Sequence, residues 1–162
     1  MALVIRTSRI HNRGCYTTTA IRKGAMVVEY KGPRISIEEG DRRYEGKEIT
    51  YLFGLEGGKQ VIDGRGIARY INHSCHPNCT TEEIDGRIWV SALRDIKPGE
   101  ELSYDYMLYD GEGHAPCRCG ANKCRGTMYS PEELKRQKRA AAGKKRKSPK
   151  KQRKNVPKYL ST

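Results

Sequence analysis

The stretch Arg69–Cys79 reads RYINHSCHPNC and packs two histidines, two asparagines, two cysteines and a proline into eleven residues. Three chemistries fit such a run. It could hold a metal through its cysteines and histidines. It could carry a nucleophilic pair, Cys75 with His73 or His76. It could also be a tight loop whose histidine and cysteines are buried structural residues. The run itself does not choose among them, so the flanking sequence must.

On either side, residues 1–109 read as short strands between turns, which makes the fold class mainly β. LVIRTS (3–8) and GAMVVEYKG (24–32) have the β-branched content and flanking glycine of strands. ITYLFGLEGGKQVIDG (49–64) reads as two strands around EGG. RIWVSALRDI (87–96) is a strand entered from a turn at Asp85–Gly86, and IKPGEELSYDY (96–106) sets a Pro-Gly turn before another. Helical signal is sparse: SIEEGDRRYEG (36–46) predicts a short helix capped by Ser36.

Residues 110–130, DGEGHAPCRCGANKCRGTMYS, are rich in glycine and cysteine. Ser130 then predicts a helix cap, with Pro131 in the first turn and Glu133 completing a capping box. That helix, PEELKRQKRAAA, should stop near Gly143, leaving a basic tail with too little apolar content to fold alone. The organisation expected is therefore 1–109 as the main domain, 110–130 as a cysteine segment and 131–162 as a tail.

Charge follows the same division. The chain carries 32 Lys/Arg against 19 Asp/Glu, but residues 131–162 hold 13 of the bases and 2 of the acids. The first 130 residues are left with a net charge of only +2. A polyanion-binding surface on the folded part is not indicated. No secretory signal or membrane-length apolar run is visible, and six cysteines are few for a secreted disulfide scaffold. An intracellular protein with reduced thiols is the expectation.

Cys117, Cys119 and Cys124 form a C-x-C-x4-C cluster. Thiolates hold zinc tetrahedrally, so a closed structural site needs a fourth ligand. No cysteine or histidine follows Cys124; His114 is the near candidate, and Cys15, Cys75 and Cys79 are the distant ones.

The order of the motifs decides what the run is for. RYINHSCHPNC, then GEELSYDY, then CRCGANKC, preceded by RIHNRGCY and VVEYKG, resembles the SET-domain protein-lysine methyltransferases with their post-SET zinc segment, over roughly residues 4–128. With no pre-SET segment ahead of it, the chain is similar to the compact stand-alone members of that family often found in bacteria. The resemblance implies a fold of several small sheets with a knot-like crossing, where the NHSC loop and the YDY strand thread past each other.

It also implies roles. Asn72 and His73 would bind S-adenosylmethionine, together with His11, Arg13, Gly14 and Tyr51, and with Met128 lying against the adenine. Asn12 stands where the family usually has glycine, and Pro33 where glutamate is frequent. Cys75 would join Cys117, Cys119 and Cys124 around one structural Zn2+. Tyr106 would be the catalytic tyrosine, Tyr104 would limit the product to mono- or dimethylation, and Tyr30 would line the lysine channel.

The partner implied is a protein with an exposed lysine, such as a histone-like basic tail. Residues 144–158 could add non-specific DNA or RNA contact or be self-methylated. A bacterial cytoplasmic setting, extending to the nucleoid, is the expectation; a nuclear one follows if the chain is eukaryotic or delivered to a host. The rival function is a zinc-stabilised nucleic-acid-binding chromosomal protein with a vestigial cofactor site. A cysteine hydrolase is excluded if Cys75 serves as a metal ligand.

Overall fold

The computed structural model describes residues 2–47, 49–55, 57–109 and 115–147, with side chains through 142. The strands, in chain order, are β1 (Leu3–Thr7), β2 (Arg13–Thr17), β3 (Met26–Tyr30), β4 (Arg34–Ser36), β5 (Leu52–Gly54), β6 (Gln60–Asp63), β7 (Asn72–His73), β8 (Cys79–Ile84), β9 (Arg87–Ala92) and β10 (Ser103–Tyr104). Helix α1 (Ile37–Tyr44) follows β4, a 3-10 turn spans Ile67–Tyr70, and helix α2 (Pro131–Lys147) closes the described chain. No described helix is long and apolar enough to cross a membrane.

The strands form four small sheets: β1-β2, β4-β6-β5, β3-β9-β8 and β10-β7. The β8–β9 hairpin turns at Asp85 and Gly86, both left-handed with φ of 49° and 71°. That pair of angles matches the right-handed twist of a two-residue hairpin, which is why Asp-Gly was a turn signal. Along β9, Ile88, Val90 and Ala92 are buried and alternate with half-buried Trp89 and Ser91, the period of two that a strand imposes. The partner β8, CTTEEI, went unread because a strand this polar has almost no apolar alternation to reveal it.

Ile88, Val90, Ile71, Ile96, Leu102, Cys15 and Cys79 all lie in the core and are at most 2% exposed. Each fully buried Leu or Ile contributes about 1.5–3 kcal/mol. Ile71 and Leu102 immediately precede the two strands of the β10-β7 sheet, so apolar burial fixes where that small sheet sits.

Ser36 caps α1 as expected, its side chain accepting the Glu39 N–H. Ser130 likewise accepts the Glu133 N–H at 3.1 Å, but the reciprocal half of the capping box does not form. The Ser130 N–H donates to the Leu108 carbonyl, and the Glu133 carboxylate instead binds Arg136 and Gln137. The stop expected near Gly143 is also corrected, since α2 runs on to Lys147. A glycine inside a helix costs only about 1 kcal/mol relative to alanine, and good helix formers flank this one. The stretch 148–162 and His114 lie outside the described residues.

Candidate active site

The crossing is built by β7 and β10, which pair in parallel with Ser103 opposite Asn72 and Tyr104 opposite His73. Backbone hydrogen bonds extend the pairing: the Ser74 N–H donates to the Tyr104 carbonyl and the Leu102 N–H to the Cys15 carbonyl. Asn78 braces the crossing, its amide donating to the Glu101 carbonyl at 2.8 Å while its side-chain oxygen accepts the Ser103 N–H at 2.9 Å. Asn72, His73, Ser103 and Tyr104 are all buried, so each polar group there needs a partner.

Asn72 meets that need by holding the loop between β1 and β2. Its Nδ2 lies 3.0 Å from the Arg13 carbonyl, 3.2 Å from the His11 carbonyl, 3.1 Å from Ser8 Oγ and 2.8 Å from Glu101 Oε1. With two hydrogens, the amide satisfies two of these acceptors at a time. Ser8 donates to the same Glu101 carboxylate at 2.7 Å, and Tyr16 donates to it at 2.8 Å. A Cβ on Gly14 would collide with this carboxylate. Ser8, Tyr16 and Glu101 thus belong to the site, although the sequence reading passed over them.

The departure at Asn12 has a backbone explanation. Its φ is 44°, a left-handed conformation that glycine adopts freely and asparagine tolerates better than most residues. The His11–Gly14 loop can therefore keep its shape without the glycine.

On the other side of the crossing, aromatic rings follow one another in tilted and edge-on contacts. Tyr30 and Phe53 have centroids 5.2 Å apart, Phe53 and Tyr104 6.2 Å, Tyr104 and Tyr106 4.9 Å, and Tyr106 and His73 5.3 Å. Burial pushes the hydroxyls of Tyr30, Tyr104 and Tyr106 up from their ordinary range, so they stay protonated near neutrality. Tyr106 donates to the Ile71 carbonyl at 2.9 Å and Tyr30 to the Tyr51 carbonyl at 2.9 Å. The Arg69 guanidinium lies over the Tyr51 and Tyr70 rings at 5.0 and 4.8 Å, a cation–π arrangement. Phe53 and Arg69 were not singled out from sequence, though both sit inside quoted motifs.

Met128 is half-buried, and its backbone joins two segments: its N–H donates to the Ala115 carbonyl and its own carbonyl accepts the Leu108 N–H. Met128 therefore lies against the stretch that leaves Tyr106. Two surface clefts of about 330 and 350 Å³ run along Glu29–Lys31 and Arg87. Neither is lined by Asn72, Tyr104 or Tyr106, and only Tyr30 of the ring series borders one of them.

Cys75, Cys117, Cys119 and Cys124 converge, their sulfurs all within 4.8 Å of one another. Cys15 and Cys79 are instead fully buried in the core, where burial pushes their thiols up to about 12 and about 11. A tetrahedral zinc about 2.3 Å from each sulfur requires sulfur–sulfur separations of about 3.8 Å. Cys75 Sγ lies 3.7 Å from Cys117 Sγ and 3.9 Å from Cys124 Sγ. Backbone N–H groups of Cys75, Arg125 and Gly126 point at sulfurs of Cys119, Cys75 and Cys124, each at 3.4 Å. That pattern of N–H donors suits thiolate acceptors, and four thiolates this close need a cation to offset their charge. The donor set fits one tetrahedral metal ion.

A mainly-β protein with a buried tyrosine site beside a four-thiol cluster is the class that fold and site define. The chain matches the SET domain family over residues 12–107, and it belongs to that family. It is 42% identical over 136 residues to "Histone-lysine N-methyltransferase, H3 lysine-4 specific" of Emericella nidulans, covering 75% of this chain and 11% of that protein. Its likeness to the Saccharomyces cerevisiae protein of the same description is 43% over 136 residues, covering 75% of this chain and 12% of that one. For the histone-lysine N-methyltransferase trr of Drosophila melanogaster the identity is 43% over 134 residues, covering 75% and 6%. The chain thus spans only a small part of these relatives' length. Among solved structures, "ctPRC2 in an autoinhibited conformation bound to S-adenosylmethionine" superposes with a TM-score of 0.59 at 34% identity, covering 65% of this chain and 15% of that one. The bacterial cytoplasmic setting expected from sequence finds no support here, since these relatives come from fungi and Drosophila.

Proposed function

We propose that this chain is a protein-lysine methyltransferase, taking a methyl group from S-adenosylmethionine to the side-chain amine of a histone or histone-like tail. The observation that carries the reading is the crossing itself, where the Asn72–His73 strand lies against Tyr104 and the tilted Tyr104–Tyr106 ring pair meets His73 edge-on. The relatives named for histone-lysine methylation, and the structural neighbour described as bound to S-adenosylmethionine, support it.

The chemistry sets three demands. A free lysine near pKa 10.4 is protonated at neutral pH, a handicap of roughly 4–5 kcal/mol for a nucleophilic amine. An aromatic channel disfavours the ammonium by desolvation, and the rings of Tyr30, Phe53, Tyr104 and Tyr106 offer apolar faces to a lysine stem. S-adenosylmethionine supplies an electrophilic methyl on a cationic sulfur. His11, Arg13, Gly14, Tyr51, Asn72, His73 and Met128 would hold it, with the Asn72 amide keeping the His11–Gly14 loop in place. The neutral hydroxyls of Tyr104 and Tyr106 would orient the amine in line with the methyl, where alignment supplies much of the rate.

Cys75, Cys117, Cys119 and Cys124 would hold one zinc ion as a closed structural site, with no open position for catalysis. Position 104 carries tyrosine, whose hydroxyl takes up room that a methylated amine needs in order to turn. Mono- or dimethylation should therefore dominate. In mass spectrometry of a methylated histone peptide, Tyr104→Phe should shift product toward higher methylation; an unchanged distribution overturns this assignment. Given histones as substrate, the setting proposed is the nucleus.

The test of the whole reading is incubation with labelled S-adenosylmethionine, purified histones and a lysate, followed by mapping of the labelled lysines. Label on a histone lysine supports it, and label on the chain's own residues 144–158 would reveal self-methylation. The rival reading gives the basic tail the work of non-specific DNA or RNA contact and leaves the cofactor site vestigial. Calorimetric titration with S-adenosylmethionine separates the two, because a vestigial site binds nothing.

A further inference from the structure

Arg125 and Asp105, assigned neither to the metal nor to the reaction, join the cysteine cluster to Tyr106 alongside His73. Cys75 Sγ faces His73 Nε2 at 3.3 Å and accepts the Arg125 backbone N–H at 3.4 Å. His73 Nδ1 accepts the Tyr106 N–H at 3.1 Å, which places the ring's proton on Nε2, pointing at the sulfur. The Arg125 side chain leaves the cluster and reaches Asp105, between the two tyrosines, through two bonds of 2.6 and 2.8 Å. Asp105 also accepts the Met107 N–H at 3.2 Å, steadying a residue whose φ is 49°. Two routes thus leave the cysteine ligands and converge on the Asp105–Tyr106 peptide.

We propose that Asp105, Arg125 and His73 are positioning residues that set Tyr106 according to whether the four cysteines hold their metal. This deepens the methyltransferase reading and rests on it. A divalent cation at the four sulfurs would fix Cys75 against Cys117, Cys119 and Cys124, and with it the sulfur that faces His73 and accepts the Arg125 N–H. Without it nothing fixes the four sulfurs against one another, and the contacts of His73 and Arg125 with Cys75 lose their common anchor. Arginine suits this bridge because its planar fork grips a carboxylate at two points while its own backbone contacts a ligand sulfur.

The test uses the full chain loaded with zinc and the variants Arg125→Ala, Arg125→Lys, Asp105→Asn and the Arg125→Ala/Asp105→Asn pair. Zinc content, cofactor affinity, single-turnover rate and hydrogen exchange at the Tyr106 amide are measured on each. Arg125→Ala and Asp105→Asn should each slow methyl transfer by about 10–100-fold, the usual cost of losing an outer-shell partner, with one zinc retained and cofactor affinity kept. Arg125→Lys should recover part of the rate, and the double variant should be no slower than the worse single. Tyr106 exchange should quicken in the variants, and in the wild type once zinc is removed.

Normal turnover in the zinc-loaded variants, losses that track only lost zinc, or losses that add in the pair would each overturn the proposal. Exchange at Tyr106 needs no turnover. If the wild type methylates nothing, the methyltransferase reading fails, while unchanged Tyr106 exchange in zinc-loaded Arg125→Ala would sink the coupling itself.

Discussion

The crossing and the cysteine segment meet at Cys75 and Asp105, and they are held by different means. At the crossing, two buried strands of two residues each follow directly on Ile71 and Leu102, which are 1% and 0% exposed. In the cysteine segment none of residues 115–128 is buried. It is attached by backbone bonds from Leu108 and Ser130, by the Asp105–Arg125 pair and by the convergence of its three cysteines on Cys75. Apolar burial fixes the first region with no ligand. The second has too little apolar surface to do so, and a metal ion held by the four sulfurs would supply what it lacks.

The difference can be broken most forcefully by removing the metal. A chelator, or Cys75→Ser, should release residues 115–128 and lower turnover by more than about 100-fold, while melting of the core stays cooperative. Thiol alkylation at pH 8 checks the division: after stripping, Cys117, Cys119 and Cys124 should label readily. Cys15 and Cys79, buried with thiols pushed up to about 12 and about 11, remain protonated at that pH and should not label until the core unfolds. Loss of core melting on chelation would mean that the regions are one cooperative unit.

Next in size is Tyr106→Phe, which keeps the ring packing but deletes the bond to the Ile71 carbonyl. Turnover should fall by about 100-fold, as for a misplaced reacting group, with cofactor affinity unchanged by calorimetry. Leu102→Ala attacks the crossing through the core and should cost about 2–5 kcal/mol in denaturant unfolding, with zinc content unaffected in the protein that remains folded. The smallest effect is expected from Ser130→Ala. Loss of the α2 cap should cost about 1 kcal/mol, seen as reduced helicity, and leave both the metal and the crossing intact.

Local features were legible in the sequence where a residue's own conformational preference settles the outcome. Asp85–Gly86 made its hairpin turn and Ser36 capped its helix. The extent of α2 was misjudged because a single glycine penalty was weighed above the helix formers around it. Strand β8 stayed hidden because its stabilisation comes from pairing with β9 rather than from its own side chains. Glu101 lay in plain view inside GEELSYDY, yet nothing local says that its carboxylate meets Ser8, 93 residues away.

By itself, the sequence determined the mainly-β character, the contrast between a near-neutral stretch and a basic C-terminal one and, through the order of its motifs, the family. Tertiary structure brings Cys75, already implied by the motif order, to Cys117, Cys119 and Cys124; it alone decided that the Asn72 amide holds the His11–Gly14 loop and that Arg125 reaches Asp105. Turns, caps and alternation act within a few residues, so composition and spacing reveal them. Contacts between segments depend on how the β7–β10 crossing brings distant stretches together, and no short-range preference encodes that.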